Sequence, residues 1–403
     1  MIGKWLRVAL VLCGAICCNV AANAQTLALV GGSLYASPDA APLPDAVVVT
    51  SGGTITAIGS RGTVQIPPDA RIIDCTGKTV VAGFWNSHVH FTQPAWRNAA
   101  SAPAASLEEH MREMLTKWGF TTVWDLGSNP NDTLALRRRI NANEVAGPNI
   151  FLAGSIFPKD GHPVYLPAEM KLPEAATPDE AAQMARAYLE MGLDGVKLFT
   201  GAYMGDKLVV NMDPAIAKAA VEVAHAQGKP VFAHPQNKTG VDTVIAAGVD
   251  LLAHTAPGQP TTAEQLAQFK LHGTALIPTL ALFTTVVLDP GVTARLVESG
   301  VSQLKAFSDN GGAVLFGTDV GFTKLYDTTL EYELMHRALS ERQVLASLTT
   351  NPALYFKAAK KGRVEQGFDA DLAILDGDPV ADLHNLAKVA YTIRAGQIIY
   401  QKP

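Results

Sequence analysis

Beyond its first two dozen residues, this chain has almost no cysteine. Three of its four cysteines (Cys13, Cys17 and Cys18) sit in the N-terminal stretch. Only Cys75 remains further on, which excludes an intrachain disulfide in a form that has lost that stretch. There is no basic run, and Lys+Arg number 32 against 37 Asp+Glu. That balance excludes a nucleic-acid-binding face. No later segment is apolar for long enough to cross a bilayer. Low-complexity tracts and short repeats are missing too. So are a Gly-rich phosphate loop after the first long strand and a Gly-x-Ser-x-Gly elbow. What remains is an ordinary globular composition over 403 residues, 48% hydrophobic and 17% charged. That length can bury a large core.

The N-terminus has its own pattern. Lys4 and Arg7 precede an apolar run from Val8 to Cys18, and Ala22-Asn23-Ala24 follows. This predicts a signal peptide over residues 1–24, with Gln25 as the new N-terminus. A membrane anchor is the alternative, but the run is short for it. Gly14-Ala15-Ile16 before Cys17 makes a poor lipoprotein box. The expected product is secreted or periplasmic and off the membrane. It carries 30 basic against 37 acidic residues, because cleavage removes Lys4 and Arg7.

Residues 25–80 read as short β-prone runs: Thr26–Val30, Ala46–Val49, Thr54–Ala57 and Arg71–Ile73. Gly31-Gly32, Gly52-Gly53 and Pro67-Pro68 punctuate them. Residues 358–403 behave alike, with strands at Asp371–Leu375 and Val389–Ile393 and a return at Gly396–Tyr400. Strand-rich ends around a long middle predict one small β-sandwich domain made from both. The middle, residues 81–357, alternates apolar strands with amphipathic helices. Eight strands are expected: Val80–Trp85, Thr121–Trp124, Asn149–Ala153, Gly195–Phe199, Pro230–Ala233, Asp250–Ala253, Thr274–Ile277 and Ala313–Phe316. One helix should begin at Thr177-Pro178-Asp179-Glu180, another at Asp213-Pro214, the latter stopping at Gly228. Eight such units predict an α/β fold of the (β/α)8 TIM-barrel type, a doubly wound open sheet being the alternative.

Chemistry-bearing residues gather at the strand ends. In His88-Val89-His90 the two imidazoles are two residues apart, so an extended strand aims both to one side. Neutral imidazole is a common ligand for zinc and related ions, although two such His can also be a polar core pair. Lys197 lies inside Gly195–Phe199. His234 follows Pro230–Ala233, His254 follows Asp250–Ala253, and Asp319 follows Ala313–Phe316 by three residues. Barrel enzymes build their sites at that face. Each residue alone has a bland reading as a satisfied core group or a cap. Six suitable residues from five strand ends are hard to dismiss that way. In the loops beyond, Tyr203 and His162 are the candidates for substrate contact, since each can donate a hydrogen bond near the mouth. Lys207, Asn211, Lys324 and Tyr326 are weaker ones. His110, His225, His272 and His336 fall on predicted helices and carry no expected role.

The run Gly83-Phe84-Trp85-Asn86-Ser87-His88-Val89-His90 resembles the first-strand motif of the amidohydrolase superfamily, with Asn86 where an Asp is common. Gly367-Phe368-Asp369-Ala370-Asp371-Leu372 resembles its C-terminal Gly-x-x-Ala-Asp-Leu signature. Among subgroups the chain looks most like the imidazolonepropionase-like and prolidase-like hydrolases, and the resemblance covers most of the mature chain. It implies two divalent metals, with zinc as the expected ion. His88, His90 and Asp319 would hold one metal, His234 and His254 the other. Lys197 would bridge them as a carbamate. A water-derived hydroxide on the metals would attack an amide or peptide bond, of N-acyl amino acid or dipeptide type. Asp319 would act as general base and acid. A small-molecule substrate and a homo-oligomer fit the same resemblance. The rivals are a mononuclear cyclic-amide hydrolase or deaminase, a lactonase or esterase, and a non-catalytic scaffold.

Overall fold

The computed structural model describes residues 25–205, 207–287 and 289–403. The expected signal peptide, residues 1–24, lies outside the described residues. Along the N-terminal part run β1 (Leu27–Leu34), β2 (Leu43–Ser51), β3 (Thr54–Ser60), β4 (Arg71–Asp74) and β5 (Thr79–Ala82). The middle holds β6 (Phe84–Val89), β7 (Phe120–Asp125), β8 (Asn149–Pro158), β9 (Glu174–Ala175) and β10 (Gly195–Phe199). It continues with β11 (Gly201–Gly205), β12 (Leu208–Asn211), β13 (Val231–His234), β14 (Leu251–Leu252) and β15 (Ala275–Leu276). At the C-terminus follow β16 (Leu372–Leu375), β17 (Val389–Arg394) and β18 (Gln397–Gln401).

Both chain ends form one mixed sheet in the order β3-β2-β1-β5-β16-β17-β18, with β4 also on β1. Alternation explains why β1 sits inside it. Leu27 and Leu29 enter one buried cluster, Ala28 and Val30 the other. Cys75 is buried there as a free thiol.

The central strands make a parallel sheet in the order β6-β7-β8-β10-β13-β14-β15. Its two edges meet one segment. Leu276 of β15 bridges Val314, while Ser87 of β6 donates to the Phe316 carbonyl at 2.7 Å and Val89 bridges Val320. The parallel sheet is therefore curled, with residues 314–320 bonded to both edges. Side chains alternate accordingly. Trp124, Phe232, Leu251, Ala275 and Leu315 meet inside the curl, and Trp124 lies 4.9 Å from Phe232, ring to ring. Val123, Val196, Val231, Leu252 and Val314 face outward onto helical residues such as Met111, Leu136, Ala185 and Val244.

The expected strand over Val80–Trp85 is two strands. Thr79–Ala82 belongs to the terminal sheet, where Ala82 pairs with Leu372, and Phe84 begins the central one beside Phe120. Gly83 is the break. A β-carbon there would stand 2.4 Å from the Thr121 side chain, so the chain crosses between sheets where only glycine fits. The helices follow their caps. Pro178–Glu190 carries a capping box from Thr177 and Glu180, and Pro214–Ala226 starts on the Asp213 side chain.

Candidate active site

Strand parity places the first candidates. On β10, Val196 and Leu198 point outward, so Lys197 points into the curl, where it is 1% exposed. On β13, Phe232 fills the interior and His234 continues on the same side one step higher. β6 needs an extra device. Asn86 pairs with Val123 but Val89 pairs with Asp125, so three steps of β6 match two of β7. This bulge reverses parity: Trp85 fills the floor below, and His88 and His90 face the mouth.

Asp319 arrives by a tight return against β6. It adopts φ 59, and its amide donates to the His88 carbonyl at 2.9 Å. Gly321 lets the chain pass, because a β-carbon there would lie 1.7 Å from the His90 carbonyl oxygen. Asn86 ties the two segments together. Its Nδ2 donates to Thr318 Oγ1 at 2.8 Å, and its Oδ1 accepts from the amides of His88 and Thr318.

These residues converge. Asp319 Oδ1 lies 3.3 Å from His88 Nε2 and 2.9 Å from His90 Nε2. The imidazoles then run as a row. Ring centroids are 5.2 Å apart for His90–His88, 4.6 Å for His88–His254 and 4.6 Å for His254–His234. Hydrogen bonds fix the free nitrogens. His88 Nδ1 donates to the Ala253 carbonyl at 2.8 Å, leaving Nε2. Thr279 donates its hydroxyl proton to the Pro278 carbonyl, so its oxygen accepts from His254 Nδ1 at 2.6 Å. His234 Nε2 donates to Gln236 Oε1 at 3.1 Å, which leaves Nδ1.

Burial keeps these bases neutral. It pushes His88 and His254 well below the usual imidazole value, and His234 down to about 3, with the Lys197 charge adding to each. The Lys197 amine is lowered to about 7 by burial, opposed by the Asp319 charge. Among the described residues Lys197 forms no ion pair.

The donor set fits a divalent cation. One nitrogen each from His88 and His90 and a carboxylate oxygen of Asp319 lie within 4.8 Å of one another. Ligand atoms about 2.1 Å from a shared ion stand roughly 3–3.5 Å apart, and Asp319 Oδ1 stands 3.3 and 2.9 Å from the two imidazole nitrogens. Asp319 Oδ1 and His90 Nδ1 are also buried without a hydrogen-bond partner. Buried polar atoms are rarely left so unless another group completes them.

The loop candidates make their own local contacts. His162 is half-buried, with its ring nitrogens 3.2 and 3.1 Å from the carbonyls of Pro163 and Met170 in its own loop. Tyr203 is half-buried in the β11–β12 hairpin, and its carbonyl accepts from Val164. Lys207 and Lys324 are exposed, and Asn211 is half-buried on β12. Tyr326 donates to Gln93 at 2.6 Å, joining the loops after Asp319 and His90. His110, His225, His272 and His336 lie on helices, as expected.

Sequence reasoning missed several neighbours. Asp125 ends β7, fully buried, bonded to Ser128 and Thr133 and 4.0 Å from His90 Nδ1. The strand-end rule that singled out the others reaches it as well. Aromatic rings flank the row at both ends. Phe199 stacks on His234 at 4.9 Å, while Phe322 meets His90 edge-on at 6.5 Å and Tyr165 at 5.5 Å.

Comparison with known proteins agrees with this geometry. An uncharacterized protein of Mycobacterium tuberculosis is 28% identical over 267 residues, 61% of this chain. The match spans 65% of that relative's length. Ochratoxinase of Aspergillus niger is 23% identical over 395 residues, covering 86% of this chain and 80% of that one. A Bifidobacterium longum structure assigned as a prolidase superposes with a TM-score of 0.80, at 26% identity, over 94% of this chain and 95% of that one. The family model described as "Amidohydrolase family" matches residues 79–399. Most of the chain lies within that match, and the chain belongs to the amidohydrolase family.

Proposed function

We propose that this protein is a binuclear metal-dependent hydrolase that cleaves an amide or peptide bond in a small molecule. The observation carrying it is the buried, hydrogen-bond-deficient Asp319 Oδ1 facing the Nε2 atoms of His88 and His90, with two further neutral imidazoles in line. The names of similar proteins, ochratoxinase and a prolidase among them, favour a carbon–nitrogen bond. We read the curled sheet as a (β/α)8 barrel closed by residues 314–320, and the sheet from the two chain ends as its small β-sandwich domain.

In this reading His88, His90 and Asp319 would hold one cation, and His234 and His254 a second; zinc would suit such ligands. Divalent cations there supply an acidified water and a polarised carbonyl. Lys197, if carbamylated, would be the donor shared by the two sites. Its neutral Nζ attacks carbon dioxide and loses a proton, turning an amine with no carboxylate partner into an anionic oxygen donor. Asp319 takes a proton from the attacking water and passes it to the leaving nitrogen. Asp125 backs His90, and Asn86 holds the return that carries Asp319. Phe199 at one end of the imidazole row, with Phe322 and Tyr165 at the other, favours substrates with apolar groups flanking the bond.

The deciding experiment counts metals per protomer by elemental analysis, for the wild type and Lys197→Ala, alongside a hydrolysis screen of N-acyl amino acids and dipeptides. Two metals in the wild type, one or fewer in the variant, and turnover of an amide are expected. One metal in both would replace this reading with the mononuclear one. The chain is further proposed to be exported with cleavage before Gln25. N-terminal sequencing of protein recovered outside the cytoplasm checks that.

A further inference from the structure

One buried carboxylate near the site has no cation beside it. Glu331 lies in the helix Thr329–His336 and is 1% exposed. Its two oxygens accept from consecutive amides, Leu280 N at 3.0 Å and Ala281 N at 2.7 Å. Among the described residues no lysine, arginine or histidine pairs with it, and burial pushes it up to about 7. An isolated buried carboxylate is costly, so the loop it holds is informative.

That loop starts with a second costly feature. Thr279, fully buried, adopts φ 46 in the left-handed region, which β-branched residues strongly disfavour. Its hydroxyl accepts the Nδ1 proton of His254. The amides held by Glu331 are those of the two residues that follow. Strained backbone persists where its surroundings over-determine it, and it clusters at functional sites.

We infer that Glu331 is a positioning residue for the His234/His254 metal site: by binding the Leu280 and Ala281 amides it locks Thr279 in the conformer whose hydroxyl orients His254. The inference rests on the binuclear reading above. Glutamate suits the task because it offers an acceptor to each amide. A glutamine of the same shape turns an NH2 group toward one of them. The effect reaches the metal only through the Thr279 hydroxyl, so the two residues must behave as one unit.

Chelator-stripped protein is titrated with Zn(II) against a competing chelator, and its Tm is read without metal. The set is wild type, Glu331→Gln, Thr279→Val, Thr279→Ser and the Glu331→Gln/Thr279→Val double variant. Loss of such an outer hydrogen bond typically weakens metal binding about 10–100-fold. One of two zinc sites is expected to weaken by at least about tenfold in Glu331→Gln and in Thr279→Val, and by less than about threefold in Thr279→Ser. The double variant should be no weaker than the worse single one, because the second change removes nothing further. A Glu331→Gln protein with a lower metal-free Tm but unchanged zinc affinities overturns the inference, as do additive losses. If Glu331→Gln fails to fold, Thr279→Val decides, and unchanged zinc binding there overturns it. Fewer than two zinc ions on the wild type would sink the binuclear reading, and this inference with it.

Discussion

Two buried aspartates separate the parts of this molecule that build it from the part that acts. Asp371, in the C-terminal Gly-x-x-Ala-Asp-Leu run, accepts from Lys361 Nζ and from the Ala395 amide. Asp319 has an oxygen with no donor, turned toward two imidazole nitrogens. The lysines repeat the contrast. Lys361 is paired with Asp371 and Asp369, and those charges hold its pKa up despite burial. Lys197 has no ion-pair partner among the described residues and is pulled down to about 7 by burial. The paired Asp371 and Lys361 hold the fold together, whereas Asp319 and Lys197 are left to chemistry that something bound would complete.

Substitution at the two aspartates should split activity from stability. Asp319→Asn keeps the size and loses the carboxylate to which the proposed function gives the role of base. Amide hydrolysis should fall by about a thousandfold or more, measured as kcat/KM, while the metal-free Tm stays level or rises. Asp371→Ala strands Lys361 and the Ala395 amide. Truncating one partner of a fully buried pair costs about 3–5 kcal/mol. Because Lys361 is 19% exposed, the expectation here is lower, about 2–3 kcal/mol in urea unfolding, with metals per folded protomer unchanged. A stable Asp371→Ala protein, or an unstable Asp319→Asn one, would erase the distinction.

The acting part was the more legible of the two in the sequence. Lys197 and His234 follow from parity, since outward Val196 and Leu198 on one strand, and Val231 and Ala233 on the other, aim the alternate residues inward. Asp125 obeys the same strand-end rule. The break at Gly83 was not legible, because it depends on Thr121, nearly forty residues away. Glu331 was hidden for a similar reason. On a short helix it reads as a solvated acid, and its partners lie some fifty residues earlier. The bulge in β6 leaves no sequence mark either, yet it decides which side His88 and His90 face. Local pattern reports which side a residue takes on its own strand, and tertiary contact decides the rest.

The loops sharpen this further. From the loop after β8 the sequence suggested His162, a hydrogen-bonding residue, whose ring nitrogens stand against carbonyls of its own loop. Tyr165, three residues on, lies against Phe322 instead. Phe322→Ala should raise KM for amides with apolar flanks by about tenfold, the equivalent of roughly 1.4 kcal/mol of lost apolar contact, with kcat changed less. His162→Ala should change either constant by less than about threefold. A large His162 effect with none at Phe322 would reverse the assignment of that rim.

The smallest effect concerns a group that ought to do nothing. Cys75 lies in the terminal-sheet core, its thiol pushed up to about 12 by burial and donating to the Ile73 carbonyl at 3.7 Å. Thiolate is the reactive form, so a native thiol this far from ionising and this far from solvent should ignore Ellman's reagent over an hour at pH 8. In guanidinium the same protein should release one equivalent of thiol if it begins at Gln25, and four if residues 1–24 are retained with their cysteines reduced. Rapid labelling of the folded protein would mean that the terminal sheet opens far more readily than its burial implies. The structural half of the molecule would then lose the inertness that sets it apart from the site.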